Sequence, residues 1–536
     1  MIIDDVGQRG DSRRTYSPSS QTRLPRAQGF VTDRPEHRTG VVHRIAGQRE
    51  LQRRPIDVPR TRIPEPLAGG IGASGASPAA GATEHCHGEG AQHARNAARA
   101  QGADGEGGLA HPRLRVLVLG GGLVGGALCD ALSVRGHRLV LATRSGATRA
   151  GVAALALDFN ALPDRDALAG ALAGVDVLVN TVGIFRATAQ QSFDAVHVKA
   201  PQALFDAARV AGVRRVVQLS ALGADSGSAL PYFASKGRAE EILRGSGIDH
   251  AIARPSLVFA PQGPSTRWFA QLASLPLLPL PGGGIQSIQP VHLHDLVDAL
   301  VRLVEAPQVP TSLDVVGPQP LALRAYLGLF RRALGTAGWV LPVPAALARV
   351  GARALAAVSP RLPVDPDALT MLEAGSTADP APMTRWLGRQ PRAPATFLTP
   401  GAAGHMRGEA LLGWTVPLMR WSLAIMWIAT GVISLWLYPR DLSLQMLGRV
   451  GLQGAFADAA LWSAALLDFA LGIALLPGRW RTQVYLVQLA LVLGYTIIIS
   501  IWLPEQWLHP FGPVLKNVPL LAMILSLLAL DRRPWT

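Results

Sequence analysis

Short apolar runs closed by glycine or a polar residue alternate, over residues 114–310, with stretches whose apolar positions recur at helical spacing. The first run is Arg-Val-Leu-Val-Leu from Arg115 to Leu119. After the glycines that follow it, apolar side chains return at Leu128, Ala131 and Leu132, one face of a helix. Further runs stand at 138–142, 154–157, 175–179 and 216–219, each ending in small or polar residues. Runs without polar alternation are those of strands buried on both faces, and strands alternating with helices predict an α/β fold with a doubly wound parallel sheet. Residues 311–412 carry short apolar helices separated by prolines and read as a small substrate lobe and connector.

Beyond residue 413 the pattern changes. Four apolar stretches stand at 414–437, 457–476, 484–503 and 513–530, predicting an all-α four-helix transmembrane domain over 413–536. The first three are long enough to span, while the fourth is uninterrupted only from Val518 to Leu530. Before residue 113 the chain alternates Arg, Pro and polar residues with no period, so 1–112 reads as a disordered, low-complexity segment and 113–310 as the first folded domain.

Composition changes this picture little. The 536 residues carry a formal charge of +14, but the excess is arginine scattered along the chain with no basic-aromatic motif, so membrane lipids rather than nucleic acid are the expected polyanion. Two cysteines, Cys86 and Cys129, exclude a disulfide framework and point to a reducing compartment. No secretory signal precedes the first domain, which is therefore expected in the cytoplasm, tethered by a multi-pass anchor to the cell inner membrane. Arg479, Arg481, Arg532 and Arg533 then fall inside, whereas Arg440 and Arg449, partly offset by Asp441, fall outside with Glu505. His85, Cys86, His87 and His93 lack a second ligand pair at finger-like spacing. His292, His294 and Asp295 lie on either side of a helix start that Asp295 is placed to cap, and no metal is expected at either place.

Gly120, Gly122 and Gly125 stand between the first strand and the helix in G-x-G-x-x-G spacing. The first serves a tight turn, the second close approach of a pyrophosphate, and the third contact of helix with strand. The amides at Leu123 and Val124 open the helix, where partial positive charge favours phosphate. Arg144 follows the second strand in place of the acidic residue that holds a ribose 2′-hydroxyl, which favours NADP, with NAD as the alternative. Asp158, Asn180, Val182 and Gly183 end the third and fourth strands, where a cofactor would lie. Tyr232 and Lys236, four apart on one helical face, form a proton-transfer pair in which the ammonium is expected to lower the phenol pKa. Ser220, ending the strand before them, is placed to hold a substrate carbonyl or hydroxyl. With six tyrosines and only Lys199, Lys236 and Lys516 as lysines, a chance Tyr-x-x-x-Lys is expected about 0.03 times.

With Val-Asn-Thr-Val-Gly at 179–183, Ala-Arg-Pro-Ser at 253–256 and Gln-Pro-Val-His-Leu-His-Asp at 289–295, residues 114–398 resemble the extended and atypical short-chain dehydrogenase/reductases. The likeness is to their NAD(P)-binding Rossmann branch, which includes NmrA-like proteins and a complex I accessory subunit. The resemblance implies Ser220, Tyr232 and Lys236 as the catalytic set and a substrate pocket built partly after Arg254. The glycine turn is one residue tighter than in extended members, and His197 stands where many relatives carry Asn. The C-terminal part resembles the DoxX-like family through Trp427 and Gly431, Asp468 and Gly472, Pro510 to Pro513, and Lys516-Asn517.

The expectation is a membrane-anchored oxidoreductase using NADP(H) on a lipophilic carbonyl, alcohol or quinone-like small molecule. Two alternatives are a non-catalytic dinucleotide-binding assembly or redox-sensor protein, since relatives of this branch bind without turnover, and a nucleotide-sugar epimerase or dehydratase. Asp468, an acidic residue deep within a span, reads either as functional or as making a structural hydrogen bond to a neighbouring helix.

Overall fold

The computed structural model describes residues 112–531 apart from 148, 359–365 and 511. The reading for 1–112, all but its last residue, with His85, Cys86, His87 and His93, and that for Arg532 and Arg533 fall outside the described residues.

Seven strands form one parallel sheet: β1 (Arg115–Leu119), β2 (Arg138–Thr143), β3 (Ala153–Ala156), β4 (Val177–Asn180), β5 (Arg215–Leu219), β6 (Asp249–Pro255) and β7 (Ser312–Val315), in the order β7-β6-β5-β4-β1-β2-β3. Side chains of β1 alternate between two cores, which is why the strand is apolar at every inner position. Val116 and Val118 pack with α1 (Leu123–Val134), whereas Leu117 and Leu119 pack with α2 (Arg165–Ala171) and α3 (Ala200–Val210). Strand order reverses between β1 and β4, opening a crevice at their carboxyl ends. There the glycine turn meets the loop that follows β4. The helix α4 (Pro231–Gly245) follows β5.

The lobe is not a separate block. β7 lies beyond residue 310 yet pairs with β6 and completes the sheet. Helices α5 (Pro264–Ser274), α6 (Leu293–Glu305) and α7 (Leu323–Leu334) precede three short helices, α8 (Ala345–Val358), α9 (Pro366–Glu373) and α10 (Ala381–Leu387). Strands Leu277–Pro281 and Trp339–Val343 form a parallel ribbon beside them.

The helix α11 (Pro400–Val432) then runs from lobe to membrane region without a break. Thr399 caps it, its hydroxyl accepting from the Ala402 amide at 3.4 Å, and Pro400 occupies the first turn, where a missing N–H costs nothing. Met406 and Ala410 belong to the lobe core with Phe259, Tyr326 and Phe330, and Leu423 and Trp427 belong to the core of the helical bundle. The expected boundary at 412/413 therefore falls inside one helix. Trp414 Nε1 donates to Ser274 Oγ at 3.1 Å at the crossing point.

After a π-helical extension through Leu437 come α12 (Arg440–Arg449), α13 (Ala455–Ala474), α14 (Arg481–Trp502) and α15 (Asn517–Asp531). Among the described residues, three helices are long and apolar enough to cross a membrane: Pro400–Leu437, α13 and α14. At 1.5 Å per residue α15 reaches only about 22 Å, short of a hydrocarbon core of roughly 30 Å. The glycines of α11 and α13 allow backbone contact between them. A β-carbon on Gly431 would stand 2.7 Å from Ala465 O, and one on Gly472 would stand 2.6 Å from Ile428.

Candidate active site

The glycine turn is built as its spacing requires. Gly120 has φ +95°, a region that favours glycine, and its amide donates to Ala142 O at 2.9 Å. A β-carbon on Gly125 would lie 1.9 Å from Gly120 O and 2.5 Å from Thr181 Oγ1, so only glycine brings α1 this close to β1. Gly122, at the N-cap of α1, faces open space: a β-carbon there meets nothing within 4 Å. No acidic residue occupies the first turn of α1. Open room over Gly122, beside the amides of Leu123 and Val124, suits a diphosphate, so the residues present fit a dinucleotide.

The loop after β4 closes the other side. Asn180 is 1 % exposed; its Nδ2 donates to Gln218 Oε1 at 3.0 Å, and its Oδ1 accepts from the Val182 amide at 3.1 Å. Its side chain is thus spent on shaping the loop, which differs from the expected direct contact with a cofactor. Val182 Cγ2 would be 3.0 Å from a β-carbon on Gly120, and Lys236 Nζ 3.2 Å from one on Gly183. Turn, loop and Lys236 are contiguous. Thr181, not singled out from the sequence, donates its hydroxyl to Leu119 O at 2.7 Å and pins the turn.

Arg144 lies exposed in the turn after β2, where a ribose substituent would be met. Asp158, after β3, accepts from the Asn160 amide at 3.0 Å and from its side chain at 3.2 Å. Arg149 was also not anticipated: it pairs with Asp130 on α1, and its Nη1 would be 2.9 Å from a β-carbon on Gly126.

Tyr232 and Lys236 are both buried on one face of α4. Phe185 stacks on the Tyr232 ring at 5.3 Å, with Phe193, His197 and Phe233 at its edges. Burial pushes the Tyr232 phenol well above its ordinary value, the opposite of the expected lowering. Desolvation by this aromatic enclosure outweighs any effect of the ammonium, which donates to Leu219 O at 3.1 Å. Burial also lowers Lys236 to about 8, with Glu240 opposing.

Ser220 departs from its expected role. Its hydroxyl donates to Glu240 Oε1 at 2.6 Å, so that proton is committed and not offered to a substrate carbonyl. Glu240 also accepts from Arg254 Nε at 2.9 Å and Arg244 Nη2 at 2.7 Å. Burial alone would raise its carboxyl; hydrogen bonds from Arg254 and Ser220, with the charge of Arg254, hold it below the usual range. The signal for Glu240 was in the sequence: it follows Lys236 by four, as Lys236 follows Tyr232, and so shares their face.

His197 is a latch. Its Nε2 accepts from the Ile184 amide at 3.0 Å, and its Nδ1 lies 2.9 Å from Ser235 Oγ, which donates to Tyr232 O at 2.8 Å. That network assigns the ring proton to Nδ1. Burial, then the charge of Lys236, lowers His197 to about 3, so the ring is neutral and both nitrogens are occupied. At the other histidine pair, His292 rather than Asp295 caps α6, accepting from the His294 amide at 3.2 Å. Asp295 is instead buried and bound by Arg389 and Arg392.

Residues 120–271 match the NAD(P)H-binding family and residues 424–525 the DoxX-like family. The 40 kDa subunit of mitochondrial NADH-ubiquinone oxidoreductase from Neurospora crassa is 30 % identical over 129 residues, 24 % of this chain and 34 % of that protein. A ceramide reductase from Caulobacter vibrioides is 29 % identical over 135 residues, 25 % of this chain and 42 % of that protein. The chain thus spans well under half the length of these curated relatives. A nucleoside-diphosphate-sugar epimerase structure from Staphylococcus aureus is 16 % identical with a TM-score of 0.44, covering 53 % of this chain and 99 % of that one. The chain joins an NAD(P)-binding Rossmann domain of the NmrA-like and complex I subunit-like kind to a C-terminal DoxX-like domain associated with the membrane.

Proposed function

We propose that this protein is a membrane-tethered oxidoreductase that uses NADP(H) to reduce a lipophilic carbonyl compound. The observation that carries the reading is the continuity of the glycine turn, through Val182 and Gly183, with the Lys236 ammonium, which stands one turn of α4 from Tyr232 on the same buried face. Gly122, Leu123, Val124 and Gly125 would hold the diphosphate, and Arg144 the 2′-phosphate that distinguishes NADP. Bound there, the nicotinamide supplies the hydride.

The protein's own part is the proton. Because burial keeps the Tyr232 phenol protonated at neutral pH, it serves as a donor to a carbonyl oxygen rather than as a base. Below about 8 Lys236, one turn along the same face of α4, is charged and would favour the phenolate left by that transfer. Ser220 acts through Glu240 as a positioning residue, fixing α4 against the end of β5.

The lipophilic class follows from the lobe. Trp339, 82 % exposed, begins the ribbon, and its amide donates to Pro276 O at 2.9 Å, two residues beyond the Ser274 that binds Trp414 of α11. Leu277, Leu341, Leu347 and Val350 are exposed nearby in sequence. An apolar, tryptophan-bearing surface at the entry of a spanning helix suits the lipid interface, and a substrate would arrive from that side.

A second reading, a dinucleotide-binding assembly or sensor protein, is favoured by the commitment of the Ser220 hydroxyl to Glu240. The protein purified in detergent distinguishes the two when NADPH fluorescence and NADPH oxidation are followed with long-chain aldehydes and short-chain quinones, beside Tyr232→Phe. Turnover that falls at least about a hundredfold in the variant, the usual worth of a proton donor, supports the enzyme. Tight binding with no turnover supports the sensor, and conversion of a nucleotide sugar without net cofactor oxidation indicates an epimerase.

A further inference from the structure

Asp468 on α13 is the carboxyl group the soluble site does not explain. It is 6 % exposed, and its Oδ1 has no hydrogen-bond partner among the described residues. A cavity of about 360 Å³ adjoins it, within the range of small-molecule sites. Ser434 from the end of the first span, Tyr495 from α14 and Asn517 at the start of α15 share its lining, with Leu461 and Ile499 as apolar wall. A carboxyl group left without a partner beside apolar wall is costly, and a ligand that donates a hydrogen bond removes the cost.

The polar set selects the ligand. Asn517 gives one N–H of its Nδ2 to Thr496 Oγ1 at 2.8 Å, which leaves its carbonyl oxygen and a second N–H to face a ligand. Asp468 as a carboxylate only accepts, Asn517 accepts through its carbonyl oxygen and can also donate, and the Tyr495 and Ser434 hydroxyls can complete a network. The rest of the wall is aliphatic. Two of these residues lie toward the end of the bundle away from the nucleotide-binding domain. Ser434 is near the far end of the span that α11 begins, Asn517 follows the loop after α14, and Trp414, the contact with the lobe, is at the opposite end of α11.

We propose that this cavity is a second binding site, separate from the dinucleotide crevice, for a lipophilic molecule bearing a hydroxyl group, an alcohol or a phenol. The hydroxyl donates to Asp468, and the hydrocarbon part lies along Leu461 and Ile499.

The test uses the full chain in lipid nanodiscs and three photoreactive probes: a decanol with a mid-chain diazirine, its methyl ether, and the primary ammonium of equal length. After illumination, crosslinks are mapped by mass spectrometry. The alcohol is expected to label peptides of α13 and α14 about tenfold more than the ether, the factor one net hydrogen bond supplies. Asp468→Leu should remove the difference, and Asp468→Asn, which retains an acceptor, should keep most of it. Equal labelling by alcohol and ether overturns the proposal, as does labelling by the ammonium that exceeds the alcohol, which would make the site one for cations. Because the ether comparison is made on the unaltered protein, it decides the matter even where Asp468→Leu fails to accumulate. NADPH turnover plays no part in the readout, so failure here is distinct from failure of the proposed reductase activity.

Discussion

Gly122 and Gly125 sit three residues apart in one turn and face opposite constraints. Gly125→Ala forces a β-carbon to 1.9 Å from Gly120 O, so either β1 or α1 must move. The expected result is a loss of about 1–3 kcal/mol of stability, as for other overpacked sites, together with loss of cofactor binding. Gly122→Ala meets no protein atom, so its Tm should be unchanged while NADPH affinity falls at least about tenfold, the added methyl filling the room a phosphate requires. Thermal unfolding and NADPH fluorescence on the two variants check this, and equal Tm losses would refute it. Lys236 adds a pH signature. Its folded value of about 8 lies below the ordinary 10.5, so between these values the unfolded chain binds more protons and stability rises with pH. Lys236→Met should abolish that rise in urea unfolding curves taken from pH 8 to 10. The glycines and the Tyr-Lys pair were legible because spacing alone places them on one turn or one helical face. The commitment of Ser220 was not, because it depends on Arg254, which reaches Glu240 from the next strand. Likewise the enclosure of Tyr232 depends on Phe185 and Phe193, which belong to an irregular loop and the start of a π-helical turn.

At the level of elements, an apolar run bounded by glycine or a polar residue was enough to find β1, β2, β4 and β5, since a strand buried on both faces has no other pattern. Boundaries failed where two folded regions share an element. The first span was read from residue 414 because its apolar run starts there, yet α11 starts at Pro400, since its first turns are amphipathic and use Met406 and Ala410 to fill the lobe. The short helix α12 was missed for a related reason: it is polar and neither spans nor fills a core. The shared helix has a consequence. A β-carbon on Gly413 would stand 2.9 Å from the amide end of the Gln271 side chain of α5, so Gly413→Leu has to turn that flexible end aside and should loosen α5 against α11 by no more than about 1 kcal/mol. Gly404→Ala, with nothing within 4 Å, should be neutral or stabilising by up to about 1 kcal/mol through helix propensity. Hydrogen exchange of α5 and α7 amides in the detergent-solubilised chain reads both; unchanged protection in Gly413→Leu would mean that the two regions are not coupled through this helix.

Over the whole molecule, charge is distributed unequally between the two ends of the helical bundle. At the end away from the soluble domain, Arg440 pairs with Asp458 at 2.6 Å and Arg449 with Glu505 at 2.5 Å, so those cations are neutralised. At the near end, Arg479 and Arg481 pair with no carboxylate among the described residues, and Arg420 meets Asp531. By the count of arginines alone, Arg420, Arg479 and Arg481 at the near end exceed Arg440 and Arg449 at the far end, a bias that predicts retention of the near end, with the nucleotide-binding domain, on the cytoplasmic side. A membrane-impermeant maleimide tests this in cells expressing the full chain with Cys86 replaced by Ser, Cys129 being buried. Leu508→Cys, in an exposed loop between α14 and α15, should react in intact spheroplasts. Val210→Cys, exposed at the end of α3, should react only in inverted vesicles. The reverse labelling would place the dinucleotide crevice outside the cell, away from the reduced nicotinamide pool on which the proposed reduction depends.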